Sequence, residues 1–181
     1  ITANPEQDIV VTVGGAEALF LTCQVLVSPG DEVLVSDPAF VNYEPCIRAA
    51  GGVPVFVPLD EKLNFHFNAE TIKAKITPKT KGIIINSPHN PTGHVLNRKD
   101  LEDIAALAIK YNLFVISDEV YEKIIYSPAK HFSIASLPNM FERTITICSF
   151  SKSYAMSGWR IGYAAGHHSI IEQITKLQQF C

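Results

Sequence analysis

Short runs of aliphatic and β-branched residues recur along the chain, each closed by a cluster of Gly, Pro, Asn, Asp or Ser. That punctuation predicts seven strands, at residues 8–13, 32–36, 53–59, 82–86, 114–117, 144–148 and 160–165. Between them, helical composition and spacing predict helices at 18–27, 40–50, 69–76, 98–111 and from about residue 169. The 98–111 segment is the plainest. Leu101, Ile104, Ala105, Leu107, Ala108 and Tyr111 share one face, Asn97 stands at the cap, and Asp100 sits in the first turn, where the helix dipole favours an acid. Asn68 or Asn64 is the candidate cap for 69–76, and Pro78 stops that helix. A further short helix is expected to open at Asp118-Glu119-Val120-Tyr121. Pro54 and Pro58 remove two ladder donors and place the third strand at or near a sheet edge.

Strands alternating with helices imply an α/β fold, a three-layer α/β/α sandwich around a mostly parallel seven-stranded sheet. The last connection, residues 149–159, is short and glycine-broken, whereas a parallel crossover takes about a dozen residues and usually a helix. The last strand is therefore expected to run antiparallel to its neighbours. No repeat, low-complexity tract or linker interrupts the chain, so residues 1–181 read as one unit.

With 181 residues, 47% of them hydrophobic, one sizeable core can be buried. A formal net charge of -3 gives no electrostatic case for nucleic acid or an anionic membrane. No apolar run approaches the roughly 20 residues of a membrane helix, and no signal-peptide pattern opens the chain. Cys23, Cys46, Cys148 and Cys181 have no C-x-x-C spacing, so buried free thiols in a reducing, cytoplasmic compartment are expected, and no metal site. Ile1 opens the chain without an initiator methionine, and Cys181 closes it inside an amphipathic pattern. The chain reads as a segment of something longer.

In open α/β sheets, ligands bind beyond the carboxyl ends of the strands. This chain puts Gly14-Gly15-Ala16 there, then Phe40, Asn90, Asp118 and Tyr121, and finally Ser149, Ser151 and Lys152 with Arg160 just beyond. Gly14-Gly15-Ala16 before a helix offers backbone N–H groups to an anion. Ser149 adds a hydroxyl and Arg160 a planar fork suited to phosphate. Phe40 offers a face to a flat ring, Asp118 a carboxylate to a ring nitrogen, Asn90 and Tyr121 neutral donors. Lys152 is either a solvated charge at a strand end or an amine for an aldehyde. A flat, phosphorylated, nitrogen-containing aldehyde satisfies all of these, and pyridoxal 5'-phosphate is such a molecule.

Five stretches carry a resemblance: Gly14-Gly15-Ala16, Pro88-His89-Asn90-Pro91-Thr92-Gly93, Ser117-Asp118-Glu119-Val120-Tyr121, Ser149-Phe150-Ser151-Lys152 and Gly158-Trp159-Arg160-Ile161-Gly162-Tyr163. In them the chain resembles the large, pyridoxal-phosphate-binding domain of class I, aspartate-type aminotransferases. The resemblance implies transfer of an amino group between an amino acid and a 2-oxo acid, with Lys152 joined to the cofactor as an aldimine and then carrying the proton. It assigns catalysis to Lys152, Asp118 and Tyr121. Cofactor contacts go to Gly15, Ala16, Phe40, Asn90, Asp118, Tyr121, Ser149, Lys152 and Arg160. Ser151 either touches the phosphate or supports residues that do. Phe40 and Tyr121 have core packing as their plain alternative, and Asn90 a place in a turn. His89 reads as a loop residue rather than a base, and Trp159 as packing. The resemblance also implies a homodimer, and a longer protein whose N-terminal segment and C-terminal small domain lie outside this chain. The cofactor site does not fix which bond breaks, so a carbon–sulfur lyase is an alternative. A non-catalytic effector domain of a transcription regulator is another. A serine acylase is excluded, because its companion motifs are missing.

Overall fold

The computed structural model describes Ile1–Cys181 throughout. All seven expected strands form: β1 (Ile9–Val13), β2 (Glu32–Asp37), β3 (Val53–Pro58), β4 (Thr80–Asn86), β5 (Phe114–Asp118), β6 (Thr144–Ser149) and β7 (Ile161–Ala165). The helices are α1 (Gly14–Leu26), α2 (Tyr43–Ala49), α3 (Ala69–Lys73), α4 (Arg98–Lys110), α5 (Phe150–Ser153) and α6 (His168–Gln178).

Period-2 alternation along the strands explains the layering. Val33, Val35, Ile84, Ile116, Ile145 and Ile147 join Ala18, Leu19 and Leu21 of α1, Tyr43 and Ile47 of α2, and Ile171 and Ile174 of α6 in one core. The intervening residues Leu34, Ile83, Ile85 and Val115 join Ile72 of α3 and Leu101, Ile104, Ala105 and Ala108 of α4 in the other. Each fully buried aliphatic side chain contributes about 1.5–3 kcal/mol. Strand position is therefore fixed from both faces. The strand order is β1-β7-β6-β5-β4-β2-β3, which puts the proline-bearing β3 at an edge. No helix is long and apolar enough to cross a membrane.

The antiparallel strand is what assembles the site. β7 runs opposite to both β1 and β6, with Val13 opposite Ile161 and Ser149 opposite Gly162. Its start, next to Arg160, therefore lies beside the ends of β1 and β6. Across β4 and β5, Asn86 is level with Asp118, and Asp118 is level with Ile147 of β6. One end of the sheet thus carries Gly14, Asn86, Asp118, Ser149 and Arg160 together.

Several local expectations are corrected. α1 starts at Gly14 rather than Ala18, because the Glu17 carboxylate reaches back to accept the Val13 N–H at 2.6 Å. α2 begins only at Tyr43, leaving Phe40 in the loop before it. α3 is short and is capped by Asn68, whose side chain accepts from the Thr71 N–H at 3.0 Å; Asn64 instead ends the preceding turn with φ 55°. No helix opens at Asp118. Residues 120–123 make turns, closed by Glu122 N–H to Glu119 O and Ile124 N–H to Tyr121 O. There the backbone is pulled aside by tertiary partners: Glu119 donates its N–H to Ile147 O, and its buried carboxylate accepts from Ser117, Ser133 and His131. Trp159 is 71% exposed rather than packed.

Gly162 sets how closely β7 approaches α1. A Cβ there would stand 2.6 Å from Gly14 C and Gly15 N and 2.8 Å from Cys148 O, all backbone atoms unable to swing away. A Cβ on Gly158 would meet nothing within 4 Å. Gly162→Ala is therefore expected to destabilise the chain by about 1–3 kcal/mol, in the overpacking range, while Gly158→Ala stays within about 0.5 kcal/mol of wild type. Urea unfolding of both variants checks this; equal effects would contradict the close approach.

Candidate active site

The sheet end described above closes around a cavity of about 270 Å³. All ten residues expected at a cofactor line it: Gly15, Ala16, Phe40, Asn90, Asp118, Tyr121, Ser149, Ser151, Lys152 and Arg160. Tyr121 reaches it from a turn, not from the helical face that its spacing from Asp118 suggested.

At one end the donors suit an anion. α1 has no side-chain cap at its N-terminus, so the N–H groups of its first turn at Gly15 and Ala16 stay available, with the helix dipole behind them. Arg160 has left-handed backbone (φ 51°), and its guanidinium lies across Gly14. A Cβ on Gly14 would press on the Arg160 guanidinium, and Gly14 itself has φ 73°, a backbone conformation that favours glycine. Arg160 donates to Ser151 Oγ at 3.3 Å and to Ser157 O at 3.1 Å. Ser149 caps α5, its Oγ accepting from the Ser151 N–H at 3.2 Å. α5 carries Lys152, which is exposed toward the cavity.

At the other end stands Asp118, 8% exposed. Tyr43 donates its hydroxyl to Asp118 Oδ2 at 2.6 Å, and the Val120 N–H approaches Oδ1 at 3.3 Å. Burial pushes the carboxyl up from 3.8 to about 6, although both of those hydrogen bonds pull it down. Tyr43 is wholly buried and its own phenol is raised well above 10, first by burial and then by the Asp118 charge. Burial and the same charge also raise Tyr121. Asn86 braces the loop that holds Asn90: its side chain donates to Asp118 O at 2.9 Å and accepts from the Asn90 N–H at 2.7 Å. Phe40 lines the wall and meets Tyr43 edge-on at 5.6 Å between ring centroids.

Tyr43 and Asn86 were not among the expected site residues. Tyr43 reads as a core residue of α2, and only its partner 75 positions away reveals its task. Asn86 did leave a signal, as a polar residue closing the aliphatic run Ile83-Ile84-Ile85. His89 lies outside the cavity lining. It bonds Ser36 Oγ at 3.0 Å and Thr92 Oγ1 at 2.8 Å, and burial, then the neighbouring His94, pushes it down to about 4. It is a neutral strut between β2 and the Asn90 turn.

The fold and site define a class: an α/β domain with an anion socket, a free lysine and a buried carboxylate arranged about a flat space. Pyridoxal 5'-phosphate fits this donor set. The uncapped α1 terminus and Arg160 match its phosphate, Lys152 its aldehyde, and the unneutralised Asp118 its ring nitrogen.

The comparisons give the family. Residues 1–181 match the model for aminotransferase class I and II, and the chain belongs to that family, which is pyridoxal-phosphate-dependent. It is 51% identical over 180 residues to an aspartate aminotransferase of Pyrococcus abyssi, covering 99% of this chain and 46% of that protein. Kynurenine–oxoglutarate transaminase 3 of Rattus norvegicus is 43% identical, over 97% of this chain and 41% of that one. The crystal structure of an aromatic aminotransferase from Pyrococcus horikoshii superposes with a TM-score of 0.98 at 49% identity, covering 99% of this chain and 48% of that chain. The chain thus spans about half the length of the relatives it matches. This chain's own α/β fold, with its antiparallel strand, is the expected one and matches the aminotransferase structures.

Burial of Asp118 has a pH signature. Below about 4 both folded and unfolded chains hold the proton and the site costs nothing. As pH rises through about 6 the folded chain must ionise a buried group, so stability falls across this window. The full penalty is on the order of 3 kcal/mol at most. Asp118→Asn keeps an acceptor for Tyr43, and is expected to stabilise the cofactor-free chain by about 1–3 kcal/mol more at pH 8 than at pH 4. Urea unfolding at the two pH values measures it; a pH-independent difference would contradict the burial argument.

Proposed function

We propose that this chain is the cofactor-binding large domain of an aminotransferase that moves an amino group between an amino acid and a 2-oxo acid. The observation that carries the reading is Asp118: a buried carboxylate without a cationic partner, in the same cavity as Lys152 and Arg160. Pyridoxal phosphate supplies an electron sink for the carbanion left when the substrate loses its α proton. The residues of this chain do the rest. Gly15 and Ala16 N–H groups, the Ser149 hydroxyl and the Arg160 guanidinium hold the phosphate, with Ser151 steadying Arg160. Phe40 covers one face of the ring. Asp118 keeps the ring nitrogen protonated, and Tyr43 keeps Asp118 in place. Tyr121 and Asn90 donate to the ring oxygen. Lys152 Nζ would hold the cofactor through its aldehyde and, once freed by the substrate amine, would carry the proton between the substrate α carbon and the cofactor's 4' carbon.

The named relatives support transfer over the lyase and regulator readings, since they are called aspartate, aromatic and kynurenine–oxoglutarate aminotransferases. The reading extends to a homodimeric, cytoplasmic protein acting on small amino acids and oxo acids. Exposed Tyr154 and Trp159 near the cavity support a partner surface, and four unpaired cysteines suit a reducing compartment.

Added pyridoxal phosphate is expected to give an absorbance band near the visible edge, and borohydride to fix one equivalent irreversibly on Lys152. Peptide mapping identifies the labelled lysine. Label on any other lysine, or undiminished labelling of Lys152→Ala, would overturn the assignment.

A further inference from the structure

On the α3–α4 side of the sheet, away from the cavity, three side chains from three separate segments converge. His66 comes from the loop before α3, His94 from the end of the turn that carries Asn90, and Asp100 from the first turn of α4. One ligand-type atom from each lies within 4.8 Å of the other two. Asp100 divides its carboxylate. Oδ2 accepts the Asn97 N–H at 2.9 Å to complete the capping box, while Oδ1 faces His66 Nε2 at 2.9 Å. That approach is close but lacks hydrogen-bond alignment: His66 Nε2 and His94 Nε2 are both shielded from solvent, and neither has a hydrogen-bond partner. The two rings stand 5.5 Å apart, tilted by 41°.

Buried ring nitrogens without partners are costly, and two imidazoles beside one carboxylate oxygen form a ligand set for a borderline divalent ion. Tetrahedral zinc holds its ligand atoms roughly 3.3 Å from one another, so small side-chain rotations close the cluster. The His66 side chain is 33% exposed, which leaves the cluster an entry path from solvent.

We propose that His66, His94 and Asp100 form a binding site for one divalent transition-metal ion of the zinc type. Bound there, the ion ties the 64–67 loop and the α4 terminus to the Asn90 turn, which His94 already holds through the His89 N–H to His94 O bond at 2.8 Å. The role is a clamp outside the catalytic cavity. The expectation of no metal rests on cysteine spacing, which carries no information about histidines separated in sequence. A second acid–histidine cluster, Glu119, Glu122 and His131, is a weaker candidate, because Glu119 is already satisfied by Ser117, Ser133 and His131.

The test is a zinc titration of the chelator-treated chain against a chromophoric competitor, with cobalt absorption reporting coordination. Wild type is expected to bind one equivalent of zinc with an upward shift in Tm. His66→Gln and His94→Gln each lower affinity about 100-fold or more, beyond the range seen for outer partners of metal ligands, while His131→Gln leaves it unchanged. Both histidines lie in loops, so these variants leave α4 capped. Asp100→Asn, which retains a capping oxygen, is expected to lower zinc affinity as well, and unchanged affinity there would count against the site. Absence of stoichiometric zinc, unchanged affinity in the His66 and His94 variants, or loss that follows His131 instead would overturn the proposal.

Discussion

A carboxylate taken out of water without a countercharge is the constraint around which this structure is built. Asp118 closes β5 at the centre of the sheet, with Asn86 on one side and Ile147 on the other. Its two hydrogen bonds, from Tyr43 and the Val120 N–H, fix its direction but do not neutralise it. The protein therefore holds a site that is strained electrically until a cation arrives. A protonated ring nitrogen is such a cation, and binding it turns a stability cost into affinity.

The remaining architecture places complementary groups at the right remove from that carboxylate. One reversed strand brings Arg160 to the end of the sheet where all the other strands finish. Glycine at 14 and 162 lets backbone and guanidinium pack where any side chain would intrude. The short helix after β6 lifts Lys152 over the cavity, its first turn secured by Ser149. An anion socket, an amine and a carboxylate are thereby fixed by three different physical devices.

Much of this was legible along the chain because function here sits at interruptions of pattern. Asp118 and Ser149 are polar residues closing β-branched runs, Lys152 follows just beyond Ser149, and Gly14-Gly15 separates a strand from a helix. What stayed hidden depends on distance in sequence. Tyr43 looks like core until its hydroxyl is found against Asp118. The helix expected at 118–121 has acceptable local propensity, yet Glu119 is claimed by serines and a histidine from another loop, and the backbone turns instead. His66, His94 and Asp100 have no shared motif, and only the fold of α3 against α4 brings them together.

The central claim is most directly tested by carbon-13 NMR titration of the Asp118 carboxyl, with and without pyridoxal phosphate. The account predicts a midpoint near 6 in the cofactor-free chain and a carboxylate that stays ionised well below that pH once the cofactor is bound. A midpoint close to 3.8 in the free chain, or one that the cofactor does not move, would contradict it.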